Sequence, residues 1–292
     1  MVKTMKLIVR APAKVNLGLD VASFRKDRLI EWDMVMTSVS LNDYVQIETQ
    51  DSSNNIEVHS NNGFLPEDSR NLAYKAARLF LQEASLNQSV RIEIDKHIPI
   101  AAGLGGGSAD AAAVLRGLNE IFKTNYSLKK LAKIGIKIDS DVPFCVYSRT
   151  SRVSGKGEVV VPLNRLPKMW LILAKPGISV STPRILHQIS GKALEHPKID
   201  NIVNGIQNSD YNQIAKNLGN SLESITTQNY PQIFTLEQRM RKYGADGSLM
   251  SGSGPTVFGM AKTHSRAQRV YNSLSGFCSE VYLTQPLNIE NP

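Results

Sequence analysis

Apolar and polar positions along the chain follow two different regimes. In the first half, strict alternation dominates. Val15, Leu17, Leu19 and Val21 lie on one face of an expected strand, and residues 7–9 form another. Residues 34–41 and 44–49 read as two more strands, joined by a turn at Asn42-Asp43. Val90, Ile92 and Ile94 alternate with polar neighbours in the same way. Helical spacing appears three times in this half. Leu72, Ala76, Leu79 and Phe80 follow a cap at Asp68 or Ser69, and Ala111, Leu115, Leu118 and Phe122 mark a helix over residues 109–122. Leu128, Leu131 and Ile134 follow a cap at Ser127.

Beyond the proline-flanked stretch 162–167 the order changes. A strand at 169–174 precedes several helices, the last over 231–243 with Pro231 near its start and Gly244 just past its end. Strands at 248–250 and 256–261, a helix at 265–274 and a strand at 279–284 complete the chain. Without the extra helices this is β-α-β-β-α-β, the ferredoxin-like order. The pattern predicts an α+β protein of two units, residues 1–164 and 165–292, with a site between them.

The stretch 99–113, Pro-Ile-Ala-Ala-Gly-Leu-Gly-Gly-Gly-Ser-Ala-Asp-Ala-Ala-Ala, sits between an alternating strand and an alanine-rich helix. Gly103, Gly105, Gly106 and Gly107 have no Cβ, so the chain can turn sharply there and direct successive N–H groups at one point. The helix that follows adds the positive end of its dipole, and the whole predicts a phosphate cradle. It is not a Walker A loop, because no Gly-Lys-Ser/Thr closes it. It fails as a dinucleotide fingerprint too, since Ser108 stands where the third small residue belongs.

The 292 residues are 41% hydrophobic, enough for a sizeable core. The apolar run at residues 7–9 is too short for a signal peptide or a membrane span, so no membrane partner is expected. Cys145 and Cys278 lie far apart and outside any Cys-x-x-Cys, which suits a reducing cytoplasm and argues against structural zinc. A net charge of +8 suits anionic ligands. The basic runs, Lys129-Lys130 and residues 239–242, fall on predicted helices and read as solvated faces, so no nucleic-acid partner is expected.

Four segments carry the chemistry. They are Ala11-Pro12-Ala13-Lys14-Val15-Asn16-Leu17-Gly18-Leu19-Asp20, the glycine loop, Asp139-Ser140-Asp141-Val142-Pro143-Phe144, and Met250-Ser251-Gly252-Ser253-Gly254-Pro255-Thr256. In this order and spacing the chain resembles the GHMP kinases, small-molecule kinases that use ATP. That resemblance covers nearly the whole chain. It implies a two-domain fold, with an N-terminal ribosomal-S5-domain-2-like ATP-binding domain and a C-terminal ferredoxin-like domain. Residues 175–182 and 154–158 resemble the branch that phosphorylates the 2-hydroxyl of 4-diphosphocytidyl-2-C-methyl-D-erythritol in non-mevalonate isoprenoid synthesis.

The resemblance further implies roles. Asp141 would be the general base for the acceptor hydroxyl, and Lys14 would neutralise charge beside it. Gly103, Leu104, Gly105, Gly106, Gly107 and Ser108 would cradle the ATP phosphates, with Ser108 also reaching Mg²⁺. Asn71 and Lys96 would lie near the adenine, and Asn16 and Thr182 near the acceptor. Residues 251–254 would close the site. A small-molecule acceptor and a monomer or weak homodimer are expected. Singly, these residues have other readings: Asp141 as a turn cap, Lys14 as an edge charge, Thr182 as a helix N-cap, and residues 251–254 as a hairpin loop.

One part of the pattern departs from that branch. Its cytidine site uses Asp-Gly-Tyr-His, where this chain has Asp27-Arg28-Leu29-Ile30. Leu29 replaces the stacking aromatic, Ile30 replaces the histidine, and Leu186 stands where a second aromatic covers the base. Trp32 and His187 are candidate substitutes. Two other readings stay open on this ground: a kinase of the same type acting on a different small alcohol or phosphate ester, and a non-catalytic nucleotide-binding homologue.

Overall fold

A computed structural model describes residues 5–24, 30–50, 55–189 and 194–287 of the chain. It is α+β, as expected. Two long antiparallel strands, β1 (Met5–Phe24) and β2 (Ile30–Gln50), form the spine of a seven-stranded sheet. β3 (Ile56–Ser60) and β4 (Ser89–Asp95) extend it beyond β2. β5 (Ser151–Gly155) also pairs with β2 and carries β6 (Val159–Pro162). Among the described residues, four helices belong to this half: α1 (Leu72–Glu83), α2 (Gly106–Ile121), α3 (Leu128–Gly135) and α4 (Val142–Tyr147).

Two elements that the sequence reading did expect differ in detail. Four strands were expected where two run continuously, because Asn42-Asp43 is not a turn. The register jumps from Pro12 opposite Asn42 to Lys14 opposite Ser38, so β2 bulges away from β1 there. The bulge is filled from the far end of the chain. Ser40 N donates to Gln285 O (2.9 Å), Leu287 N donates to Ser38 O (2.8 Å), and Val39 bridges Pro286. The second difference is the cap of α1. Asn71 holds that place, accepting from Ala73 N at 2.9 Å and donating to Pro66 O at 2.8 Å. Asp68 binds Arg70 instead, through both its backbone N–H and its guanidinium. The Ser127 cap of α3 is as expected, accepting from Lys130 N.

The second half begins with β7 (Trp170–Lys175). Helices α5 (Thr182–His187), α6 (Ile199–Gln207) and α7 (Tyr211–Lys216) follow, then the two-residue β8 (Gly219–Asn220). The chain continues through α8 (Glu223–Asn229), α9 (Pro231–Lys242), β9 (Gly247–Met250), β10 (Val257–Ala261), α10 (His264–Leu274) and β11 (Glu280–Thr284). The strands form a four-stranded antiparallel sheet in the order β11-β7-β10-β9, against which α9 and α10 pack. Numbered within the unit, that order is 4-1-3-2, the ferredoxin-like arrangement. The basic run on α9 is only partly a solvated face. Arg239 lies 4.1 Å over the Phe277 ring, and Arg241 donates to Ser248.

The halves are not separate bodies. β8 pairs in parallel with β1, so the second half contributes to the first sheet. One core cluster joins Ala13, Val15 and Leu17 of β1 to Leu171, Leu173 and Phe258 of the second sheet. The seam between the sheets is therefore apolar below, and the motif loops gather along its edge. No described helix is long and apolar enough to cross a membrane.

Candidate active site

β1 sets the site. Lys14 and Asn16 are two apart and so share a face of the strand. Both are buried, and Lys14 Nζ donates to Asn16 Oδ1 at 2.7 Å. A buried ammonium is costly without an anionic partner, and Asp141 supplies one, its Oδ2 lying 3.4 Å from Lys14 Nζ. The Asp141 carboxyl is a quarter exposed, which leaves it open to a substrate. Two readings of these residues fall here. At Lys14 the side of β1 away from β2 is taken by the glycine loop, through Lys14 N and Leu104 O, and the side chain is buried, so Lys14 is no exposed edge charge. Asp141 occupies the cap position of α4 but makes no side-chain capping bond.

The glycine loop is tied to the same strand, since Lys14 N donates to Leu104 O at 2.9 Å. Gly103 and Gly105 have φ of 73° and 66°, the left-handed region. A Cβ at Gly103 would come within 2.4 Å of Ser251 O, and one at Gly105 within 2.9 Å of Lys14 Cγ. Sterics and backbone conformation thus both require glycine. Gly105 is the cap residue of α2 and supplies no side-chain acceptor to its first turn. The N–H groups of that turn, with the helix dipole behind them, form an anion site directly above Lys14.

Ser108 is buried in that turn and donates to Asp139 Oδ1 at 2.8 Å. The same oxygen accepts from Asp141 N at 3.0 Å. Asp139 thus ties the phosphate loop to the segment that aims Asp141. The sequence reading missed this role, although the Asp139-Ser140-Asp141 spacing showed two carboxylates at one corner. The described residues contain no cluster of three or more metal-ligating His, Cys, Asp or Glu side chains.

The fourth segment closes the site from the second half. Ser251 Oγ donates to Gly103 O at 3.1 Å and accepts from Asn16 N at 3.4 Å. Thr182 is the first residue of α5 rather than its cap. Its hydroxyl meets Ser253 Oγ at 2.6 Å, which brings α5 to this loop. Lys14, Asn16, Asp141, the glycine loop, Ser108 and Thr182 are therefore gathered around one crevice.

The remaining expected residues are placed differently. Lys96 is buried beneath the start of α2, where its ammonium pairs with Asp43 and with Asp110 at 2.9 Å. Burial acts to lower the Lys96 pKa, but the Asp110 and Asp43 carboxylates outweigh it and hold the ammonium above its ordinary value. Burial pushes Asp110 up to about 8, with Lys96 opposing and Asp43 adding to the rise. Asn71 is committed to capping α1, whose first residue, Leu72, lies against Gly107. Leu29 lies outside the described residues. Ile30 opens β2 and Leu186 lies in α5, both half-buried against the core. Trp32 is half-buried on β2 opposite Val21, and His187 is exposed at the end of α5.

The family model described as "GHMP kinases N terminal domain" matches residues 71–149, and the one described as "GHMP kinases C terminal" matches residues 197–280. The 4-diphosphocytidyl-2-C-methyl-D-erythritol kinase of Pediococcus pentosaceus is 54% identical over 283 residues, spanning 97% of this chain and 100% of that protein. The enzyme of the same name from Lactiplantibacillus plantarum is 53% identical over 286 residues, spanning 98% and 99%. A crystal structure of 4-(cytidine 5'-diphospho)-2C-methyl-D-erythritol kinase superposes with a TM-score of 0.79 at 31% identity, over 97% of this chain and 99% of that one. A homoserine kinase from Cytophaga hutchinsonii matches equally in TM-score, 0.79, over 96% and 94%, but at 20% identity that likeness is one of fold alone. With strand-borne Lys14, the glycine loop, Asp141 and the closing loop in one crevice, and with relatives of this identity over nearly its full length, the chain belongs to the GHMP kinases.

Proposed function

We propose that the protein transfers the γ-phosphate of ATP to the 2-hydroxyl of 4-diphosphocytidyl-2-C-methyl-D-erythritol. One observation carries the mechanism: the Lys14–Asp141 pair, 3.4 Å apart, lies under the N-terminus of α2. The loop amides and the helix dipole hold the ATP phosphates. Asp141 takes the proton of the acceptor hydroxyl as its oxygen attacks the γ-phosphorus. The bond from that phosphorus to its bridging oxygen breaks, and ADP leaves. Lys14 offsets the negative charge gathered there, and Asn16 orients both Lys14 and the acceptor. Positioning and charge neutralisation suffice for phosphoryl transfer, so this short set of groups is adequate.

The donor set fits Mg²⁺. Ser108 and Asp139 present hard oxygens 2.8 Å apart beside the phosphate cradle, and Mg²⁺ is commonly held by one or two such groups together with phosphates and water. When bound, it would neutralise phosphate charge. Lys96 and Asn71 act on the nucleotide through the loop and helix they support, since their polar groups are engaged within the fold. Thr182 meets the acceptor from α5, and Ile30 and Leu186 belong to the altered cytidine face. Residues 1–164 make the ATP-binding unit and 165–292 the closing unit. Two buried, unpaired cysteines suit a cytoplasmic enzyme, here read as a monomer or weak homodimer.

The test is ADP release by the purified protein with Mg-ATP and the erythritol substrate, with Asp141→Asn as the blank. Wild-type turnover is expected, with a loss of roughly 10²–10⁴-fold in the variant. An Asp141→Asn protein as active as wild type would remove Asp141 from the base role.

A further inference from the structure

Asn220 belongs to no motif in the sequence reading. It lies on β8, opposite Leu19 of β1, and is buried. Its carboxamide is fully used. Nδ2 donates to Met250 O at 2.9 Å and to Gly252 O at 2.7 Å, while Oδ1 accepts from Leu222 N at 2.9 Å. One side chain thus spans two carbonyls of the loop that closes the site. Glu223 adds a third tie, its Oε1 accepting from Met250 N at 3.0 Å.

What the held segment faces gives these bonds their meaning. A Cβ built on Gly252 would lie 3.4 Å from both Lys14 Nζ and Gly103 O and 3.7 Å from Asn16 Oδ1, so this residue stands directly against that face. The neighbouring Ser251 hydroxyl bonds Gly103 O and Asn16 N. The strut and the reacting face also share one reference frame. β8 pairs with β1 at Gly18 and Leu19, a few residues beyond Lys14 and Asn16. The height of the loop above Lys14 is therefore fixed by hydrogen bonds through a single strand.

We infer that Asn220 is a positioning residue: its carboxamide holds residues 250–252 against the Lys14–Asn16 face and so sets where the acceptor hydroxyl meets Lys14 and Asp141. This rests on the phosphoryl-transfer reading of that face. Asn220 does not itself touch the phosphate cradle, and the loop it holds meets the cradle at Gly103 O, away from the first-turn amides of α2, so its loss should lower kcat and leave the KM for ATP little changed. A misplacement of this order costs roughly 10- to 100-fold.

The experiment compares wild type with Asn220→Asp and Asn220→Ala. Asp keeps the acceptor for Leu222 N but turns an oxygen towards the two loop carbonyls, while Ala removes every bond. For each variant, kcat, KM for ATP, and amide hydrogen exchange of the segments 250–256 and 106–121 are measured. Support is a kcat loss in the stated range, a KM for ATP within about twofold of wild type, and faster exchange confined to residues 250–256. Unchanged kcat with unchanged exchange overturns the inference. So does exchange that rises equally in both segments, or failure of both variants to fold, since either makes Asn220 a general structural residue. A wild type that releases no ADP overturns the phosphoryl-transfer reading instead. Exchange at 250–256 then decides whether Asn220 holds the loop.

Discussion

Asp141 is a carboxylate that the local backbone does not need. It sits where a helix cap belongs, makes no capping bond, and faces Lys14 instead. Asp139, two residues earlier, does the local structural work by accepting from Ser108 and from Asp141 N. This division of labour leaves the Asp141 oxygens available to a hydroxyl. The proposed cytidine face is the other place where single residues decide. Leu29→Tyr with Ile30→His is expected to tighten cytidine diphosphate binding by roughly 5- to 150-fold, the worth of one base–aromatic stack. Titration calorimetry would read the change, and an unchanged affinity would place the base against other side chains. That Lys14, Asp141 and the loop glycines come together was legible because each lies in a contiguous motif. Lys96 was not, because the carboxylates that claim it, Asp43 and Asp110, are 53 and 14 residues away in sequence. Asn220 was illegible for a similar reason, its partners lying 30 and 32 residues on.

Among the elements, α2 carries the most function for its length. Its alanines pack it closely on the sheet, and its capless start is what remains for an anion. Gly105→Ala tests that start. Both the left-handed φ and the contact with Lys14 Cγ oppose a methyl group. A stability loss of about 1–2 kcal/mol from the backbone is expected, together with a raised KM for ATP, read by thermal unfolding and steady-state kinetics. A variant with wild-type KM would mean that the loop yields without moving the phosphates. Element type was well read from periodicity: α2, α3, α9, α10 and the four strands of the second sheet lie within a few residues of expectation. The joins were harder. β1 and β2 each looked like two strands, because the bulge at residues 38–41 breaks the alternation and Asn42-Asp43 resembles a turn. What settles that region is Asp43, buried and accepting from His97 N and Ile98 N, a contact that no local pattern announces. β3, β5 and β6 were missed altogether. They are short, and they are held by neighbours rather than by their own pattern.

At the scale of the whole molecule, stability should carry the signature of a buried carboxyl behind the closing loop. Burial first, then the hydrogen bond and charge of Glu223, push the Glu237 carboxyl from 4.5 up to about 9. Between those values the folded chain keeps a proton that the unfolded chain releases. The contribution is therefore whole below about pH 4.5 and falls as pH rises towards 9. Glu237→Gln, which mimics the protonated form, should flatten the decline of melting temperature over about pH 5–9. An identical slope in the variant would assign the pH dependence to other groups. The two-unit plan was legible from the change of regime after residue 162. The stitching between the units was not, because it runs through β8 and through residues 285–287, each too short to leave a periodic trace.

That last stitch dictates when the molecule can begin to work. A ribosome delivers Lys14, the glycine loop and Asp141 more than 140 residues before Gln285 and Leu287, whose backbone groups bond the bulge beside Lys14. The loop that closes over Lys14 arrives at residue 251. A nascent chain therefore carries its reacting groups long before it can hold them in register, and a product cut short by even a few dozen residues keeps the chemistry but not the frame.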